Sequence, residues 1–128
     1  MTRINAGIPP AELNDKHLMA EHREIKRIPN CINKGRFSMK GQPDTFTLGT
    51  GHVKFFYDKL LFLSKRYKEL YLECKKRNFN VTDYSECWDG VPKHLNNDYQ
   101  PSDYDRLLIK QRIAERNEVS KNKKQNSK

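Results

Sequence analysis

The sequence predicts an all-α fold: a compact single domain of three helices with long loops and a basic, disordered C-terminal tail. Three observations predict it. Apolar residues recur at helical spacing through residues 14–28 and again through 52–77. A capping-box pattern at Ser102 opens a third helical stretch. Glycine, proline, asparagine and serine punctuate what lies between. A chain of 128 residues is enough for one domain around one core.

Residues 1–13 are short and polar, and Pro9-Pro10 cannot continue a helix. The start is therefore expected as an extended arm. Run back beneath the first helix, it would bring Thr2 near Glu24. That helix should span about Asn14 to about Ile28. Asn14 can cap it, and Leu13 and Leu18 fall at the two positions of a hydrophobic staple. Leu18, His22, Ile25 and Ile32 form an inward stripe. His17, Glu21 and Glu24 lie on the outward side, with Arg23 and Arg27 four residues apart. A carboxylate set among arginines is more than solubility asks for and suits chemistry on a phosphate-bearing substrate. The plainer alternative is a solvated face with ordinary ion pairs. Pro29 must kink or end the helix. Residues 33–51 read as a loop whose cations, Lys34, Arg36 and Lys40, face water or phosphate.

Gly49-Thr-Gly51 opens the second and longest helix, expected from His52 to about Arg77. Val53, Phe56, Leu60, Leu63, Tyr67, Leu70, Tyr71 and Cys74 make one stripe along it. The two glycines are too few for a phosphate-binding loop, and His52 lacks the partners of a metal site. Residues 78–101 are irregular, with Tyr84 and Trp88 expected over the core and Asn96-Asn97-Asp98 forming a turn. The third helix begins at Ser102-Asp-Tyr-Asp105 and runs to about Asn117. Leu107, Leu108, Ile109, Ile113 and Ala114 are expected inward, and Lys110, Arg112 and Arg116 on the polar side. Residues 118–128 have almost nothing to bury and are expected as the disordered tail. The chain thus divides into a helical domain, 1–117, and a tail, 118–128.

Only 35% of the residues are hydrophobic and 32% are charged, so the core must be economical. The net charge of +9 attracts polyanions, meaning nucleic acid or an acidic membrane surface. Cys31, Cys74 and Cys87 are odd in number and lack zinc-finger spacing, which suits reduced thiols in a cytosol-like compartment. No stretch approaches the ~20 apolar residues of a membrane span. The start is too polar for a secretory signal, so a soluble, cytoplasmic protein is expected. There is no Ser-His-Asp arrangement. Any chemistry must come from a carboxylate, the histidines or an amine.

Two separated blocks and the start of the chain are more specific. Thr2-Arg-Ile-Asn5, then His17-Leu-Met-Ala-Glu-His-Arg-Glu-Ile25 with Arg27, then Leu48-Gly-Thr-Gly-His-Val-Lys-Phe-Phe-Tyr-Asp-Lys59 resemble the pyrimidine-dimer DNA glycosylase/AP lyase family of phage ultraviolet-repair endonucleases (endonuclease V, pyrimidine-dimer type). The resemblance covers residues 2–82 well and the third helix loosely. It implies an all-helical base-excision enzyme without metal or cofactor. Its partner would be damaged double-stranded DNA, most often carrying cyclobutane pyrimidine dimers. A monomer is implied, in the host cytoplasm if phage-encoded.

The resemblance also implies roles. Met1 is removed and the amine of Thr2 becomes the nucleophile. Glu24 is the catalytic carboxylate. Arg3, Arg23 and Arg27 grip phosphates, and His17 shares the reactive face. Arg112 and Arg116 are further DNA-binding candidates on the third helix. An α-amino group has a pKa near 8, and neighbouring arginines favour its neutral, nucleophilic form. The sequence departs from the family pattern at Lys26, where a proline is typical, at His22, where a tyrosine is, and at Pro29, which has no counterpart. It also lacks an aromatic C-terminal tail, which leaves the lesion open. The alternative expectation is a non-catalytic basic DNA-binding module of the same fold. A third, an RNA-binding helical protein, fits the charge but not the matching blocks.

Overall fold

The computed structural model describes residues 2–126, with side chains through Glu118. Helix α1, Asp15–Glu24, starts as its sequence dictates. The Asn14 side chain accepts the His17 N–H at 2.8 Å, and the staple residues Leu13 and Leu18 are both buried. The expected single helix to Ile28 is instead two, with α2 spanning Arg27–Asn33. Pro29 is the cause. It has no N–H to give to the Ile25 carbonyl, and its ring would collide with that group in a continuous helix. Ile28 takes the Ile25 carbonyl instead, at 3.3 Å, and Pro29 falls in the first turn of α2, where a missing N–H costs nothing. The stripe of Leu18, His22, Ile25 and Ile32 is buried throughout.

The long second helix is also divided. Helix α3 is a single turn, His52–Phe55, and α4 spans Leu60–Lys76. Phe55, Phe56, Leu60, Phe62 and Leu63 are all buried, and because 55–62 and 56–63 are each two turns apart the apolar periodicity runs on across the break. The break is at Lys59, whose φ of −125° and ψ of 43° are not helical and whose backbone pairs with Asn96. Asn97 completes the junction. Its carbonyl accepts the Phe62 N–H at 3.2 Å, and its amide donates to the Asp58 carbonyl at 2.9 Å. Val53 and Tyr71, expected inside, are half-buried. Gly51 precedes α3 with φ of 90°, and a Cβ there would sit 2.9 Å from Pro43 Cγ, so only glycine fits.

Helix α5, Asp103–Asn126, opens on the predicted capping box. The Ser102 N–H donates to Asp105 Oδ2, and the Asp105 N–H to Ser102 Oγ, each at 3.0 Å. Two expectations for this helix are corrected. Leu107 is 52% exposed, because three consecutive apolar residues cannot share one face and the core takes Ile109; Ala114 is exposed as well. The helix also does not stop at Asn117. It continues to Asn126, since residues 118–126 contain neither glycine nor proline to end it. The disordered tail is therefore replaced by helix as far as 126, and residues 127–128 lie outside the described residues.

Trp88 is buried and Tyr84 half-buried over α4, as the irregular stretch predicted. The arm is extended at its start only: a turn at Ala6–Gly7, closed by the Ile8 N–H on the Asn5 carbonyl at 3.2 Å, precedes a 3-10 turn at Pro10–Glu12. The arm contributes Ile4, Ala6 and Ile8 to the same core as Leu18, Ile28, Leu60 and Leu70. Among the described residues there is no strand, and no helix is long and apolar enough to cross a membrane.

Candidate active site

Burying the arm obliges its polar backbone groups to find partners. The Ile4 N–H donates to His52 Nε2 at 2.9 Å. Asn5 donates to Glu21 twice, from its backbone N–H at 3.3 Å and from Nδ2 at 2.8 Å. Glu21 is itself gripped by Arg66 of α4, with Nε at 2.8 Å and Nη2 at 3.0 Å, while Arg66 Nη1 donates to the Ile8 carbonyl. Glu21 is only 2% exposed, which corrects its expected outward position. The arm covers that side of α1, and a carboxylate there is tolerated because a two-pronged guanidinium and an amide satisfy it.

Above this buried pair lies a cavity of about 220 Å³. Arg3 and Asn5 come to it from the arm, His17, Glu21 and Glu24 from α1, and Arg112 and Arg116 from α5. The Glu24 side chain is 15% exposed and is flanked by Arg23 at 3.9 Å and Arg27 at 3.7 Å. Both arginine side chains are more than half exposed, so these loose pairs leave the guanidinium groups able to meet phosphate. Glu24 is the last residue of α1, where the helix end is already electronegative. A developing cation beside it is favoured.

Arg112 Nη2 donates to Asn5 Oδ1 at 3.1 Å, which links α5 to the arm. Burial, then the nearby charge of Arg3, lowers the Arg112 pKa to about 10; it remains a cation at neutral pH. Asn117 Oδ1 lies 3.1 Å from both His17 Nε2 and Asn14 Nδ2, so the far end of α5 is tied to the start of α1.

Of the residues singled out from the sequence, Arg3, His17, Glu24, Arg112 and Arg116 therefore share one cavity, with Arg23 and Arg27 at its edge. Thr2 does not line it. Thr2 is 8% exposed and borders a second hollow of about 380 Å³, with Gly41, Gly49, Gly51, His52 and Tyr57. Consecutive residues of the arm thus serve two hollows. Lys34, Arg36 and Lys40 are exposed and line neither. Asn5 and Asn117 are the site residues that sequence reasoning missed, and Glu21 is the one it placed in solvent. Asn5 stood inside a matching block, but no spacing rule marks Asn117.

His22 is buried among Tyr67, Tyr71 and Tyr84, with ring centroids 5.3, 6.1 and 5.3 Å away. Burial and the charge of Lys26 lower its pKa, so it sits neutral. Lys26 lies 3.5 Å over the Tyr84 ring.

A family model described as pyrimidine dimer DNA glycosylase matches residues 1–86, from the arm through α4, while α5 with Arg112 and Arg116 lies beyond the match. Because that match spans most of the chain, the chain belongs to the pyrimidine dimer DNA glycosylase family.

Proposed function

We propose that this chain, acting as a monomer, removes damaged pyrimidines from duplex DNA and then cuts the abasic strand, with the Thr2 amine as nucleophile and Glu24 as its acid–base partner. Cyclobutane dimers are the expected lesion. Removal of Met1 frees the amine. Its lone pair attacks the anomeric carbon of the damaged nucleotide, and the glycosidic bond breaks with its electrons leaving on the base, which takes up a proton. Loss of a proton from nitrogen and opening of the sugar ring give an imine, protonated as the cation. That positive charge acidifies the adjacent C2′ proton. Its removal, followed by departure of the 3′ phosphate, completes β-elimination. Water then hydrolyses the imine and returns the amine.

Glu24 stabilises the cationic sugar and carries protons in these steps. Arg23 and Arg27 face solvent beside it and suit the phosphates flanking the lesion, while Arg3, Arg112 and Arg116 hold the strand from the other walls. His17 lies on the same wall as Glu24. Extrusion of nucleotides from the stack makes room for the amine.

The observation that carries this reading is the convergence of Arg3, one residue from the proposed nucleophile, with Glu24 and the α5 arginines on one cavity. Borohydride trapping tests it. Methionine-free protein should give a covalent protein–DNA adduct on abasic or ultraviolet-damaged duplex, and protein retaining Met1 should not. Salt-dependent duplex binding with no adduct on either substrate would leave a non-catalytic binding module.

A further inference from the structure

The arm that carries the proposed nucleophile is pinned twice, at successive amides. Glu21 takes the N–H of Asn5, and His52 takes the N–H of Ile4 from 48 residues away. Glu21 also belongs to the buried pair with Arg66. His52 has no such second duty. Its Nδ1 lies 2.8 Å from the Thr47 carbonyl, which can only accept, so Nδ1 carries the proton and Nε2 is left bare to receive the arm. Phe46 and Phe56 stand edge-on to the ring, at centroid distances of 5.5 and 5.4 Å, and hold its plane. Both ring nitrogens are engaged, so a metal-ligand role for His52 is closed.

We infer that His52 is a positioning residue for the N-terminal nucleophile: it fixes the arm at Ile4, two residues from Thr2, and so sets where the amine stands relative to Glu24. Two extended residues span roughly 7 Å, so the ring acts on the amine through the backbone and does not touch the reacting atoms. The pin works only with a neutral ring, because an imidazolium would turn an N–H toward the N–H of Ile4. The charges facing the ring are Arg3 of the arm, Glu21 of α1 and Arg112 of α5; burial, with the two arginines, keeps it neutral against Glu21 and the bond to Thr47. Thr2 and His52 border the same hollow, so a released arm has room into which the nucleophile can swing.

This inference rests on the catalytic reading above, and its test separates the two. Methionine-free wild-type, His52→Leu and His52→Gln proteins are compared for the single-turnover rate of borohydride-trapped adduct on abasic duplex, for duplex affinity, and for hydrogen exchange at the Ile4 amide. Leucine keeps the volume and removes the acceptor. Glutamine restores an acceptor oxygen near the place of Nε2. The leucine variant should trap roughly 10- to 100-fold more slowly, as expected when a reacting group is misplaced by about an ångström. Its affinity should stay within about twofold, because the arginines that grip phosphate are unchanged, and Ile4 should exchange faster while the amides of α4 do not. The glutamine variant should recover to within about threefold of wild type. A folded leucine variant that traps at the wild-type rate overturns the inference. So does a glutamine variant that protects Ile4 yet traps slowly, and this second outcome decides the matter if the leucine variant does not fold. Absence of any adduct with wild type overturns the catalytic reading, and the positioning role with it, while Ile4 exchange still reports whether His52 holds the arm.

Discussion

Glu21 and Glu24 stand one turn apart on the same helix and line the same cavity, yet the fold treats them oppositely. At the floor, Glu21 is sealed under the arm and saturated by Arg66 and Asn5 at 2.8–3.3 Å. At the rim, Glu24 keeps 15% of its side chain open and meets its arginines only at 3.7–3.9 Å. A carboxylate with every lone pair occupied is a structural element. One with loosely held, solvated partners is free to trade them for substrate. Residue type and helix position are alike; what covers each carboxylate separates the floor from the rim.

The sharpest way to break this contrast is to exchange the defects. Glu21→Ala strands Arg66 and Asn5 in the core, and should cost about 3–5 kcal/mol in urea unfolding. Glu24→Gln should leave that unfolding curve within about 0.5 kcal/mol of wild type, while slowing adduct formation by roughly 10²- to 10⁴-fold. If Glu24→Gln instead destabilises as much as Glu21→Ala, the rim is structural too and the contrast collapses.

A smaller effect concerns pH. His52 is buried and its pKa is lowered from 6.5 to about 4, chiefly by burial. In the unfolded chain the ring protonates first as pH falls. The stability held by the neutral ring is therefore fully present above about pH 6.5 and drains away between 6.5 and about 4. The loss should be on the order of 3 kcal/mol over that window. His22 acts in the same direction, through burial and then Lys26. Urea titrations at intervals across the window should show this slope in wild type and a shallower one in His52→Gln; equal slopes would assign the acid sensitivity elsewhere.

The smallest expected change is at the rim arginines. Arg27→Ala should alter stability by no more than about 0.5 kcal/mol, because its pair with Glu24 is long and its own side chain is half exposed. It should nevertheless lower the slope of log affinity against log salt by about 0.9, the signature of one lost phosphate contact. An unchanged salt slope would mean that Arg27 does not touch the backbone of DNA.

Much of the fold was legible because its signals are local. The Asn14 cap, the Leu13–Leu18 staple and the Ser102–Asp105 box each involve residues within five positions, and each is found as read. Glu24 among Arg23 and Arg27 was equally visible, since helical spacing alone brings them together. The helix boundaries failed where apolar periodicity ran on through a break. It continues past Ile25, where Pro29 divides the helix, and through Phe56–Lys59, where the backbone leaves the helical region beside the distant Asn96 and Asn97. The orientation of α5 failed for a related reason, because consecutive leucine-type residues offer no single preferred face.

The amino-acid sequence by itself determined the all-α class, the helix caps, the inward stripe of α1, the cationic surroundings of Glu24 and the family likeness. Each depends on the identity and spacing of residues close along the chain. Only the tertiary structure decided that Glu21 is buried, that Asn5 joins Arg112 to the arm, and that Thr2 and Arg3 border different hollows. Those outcomes turn on partners 45 to 107 residues apart, such as Arg66 for Glu21, His52 for Ile4 and Arg112 for Asn5. A polar residue at the edge of an apolar stripe can be solvated or sealed at similar cost. Which happens is settled by whether a distant segment arrives with the complementary hydrogen bonds.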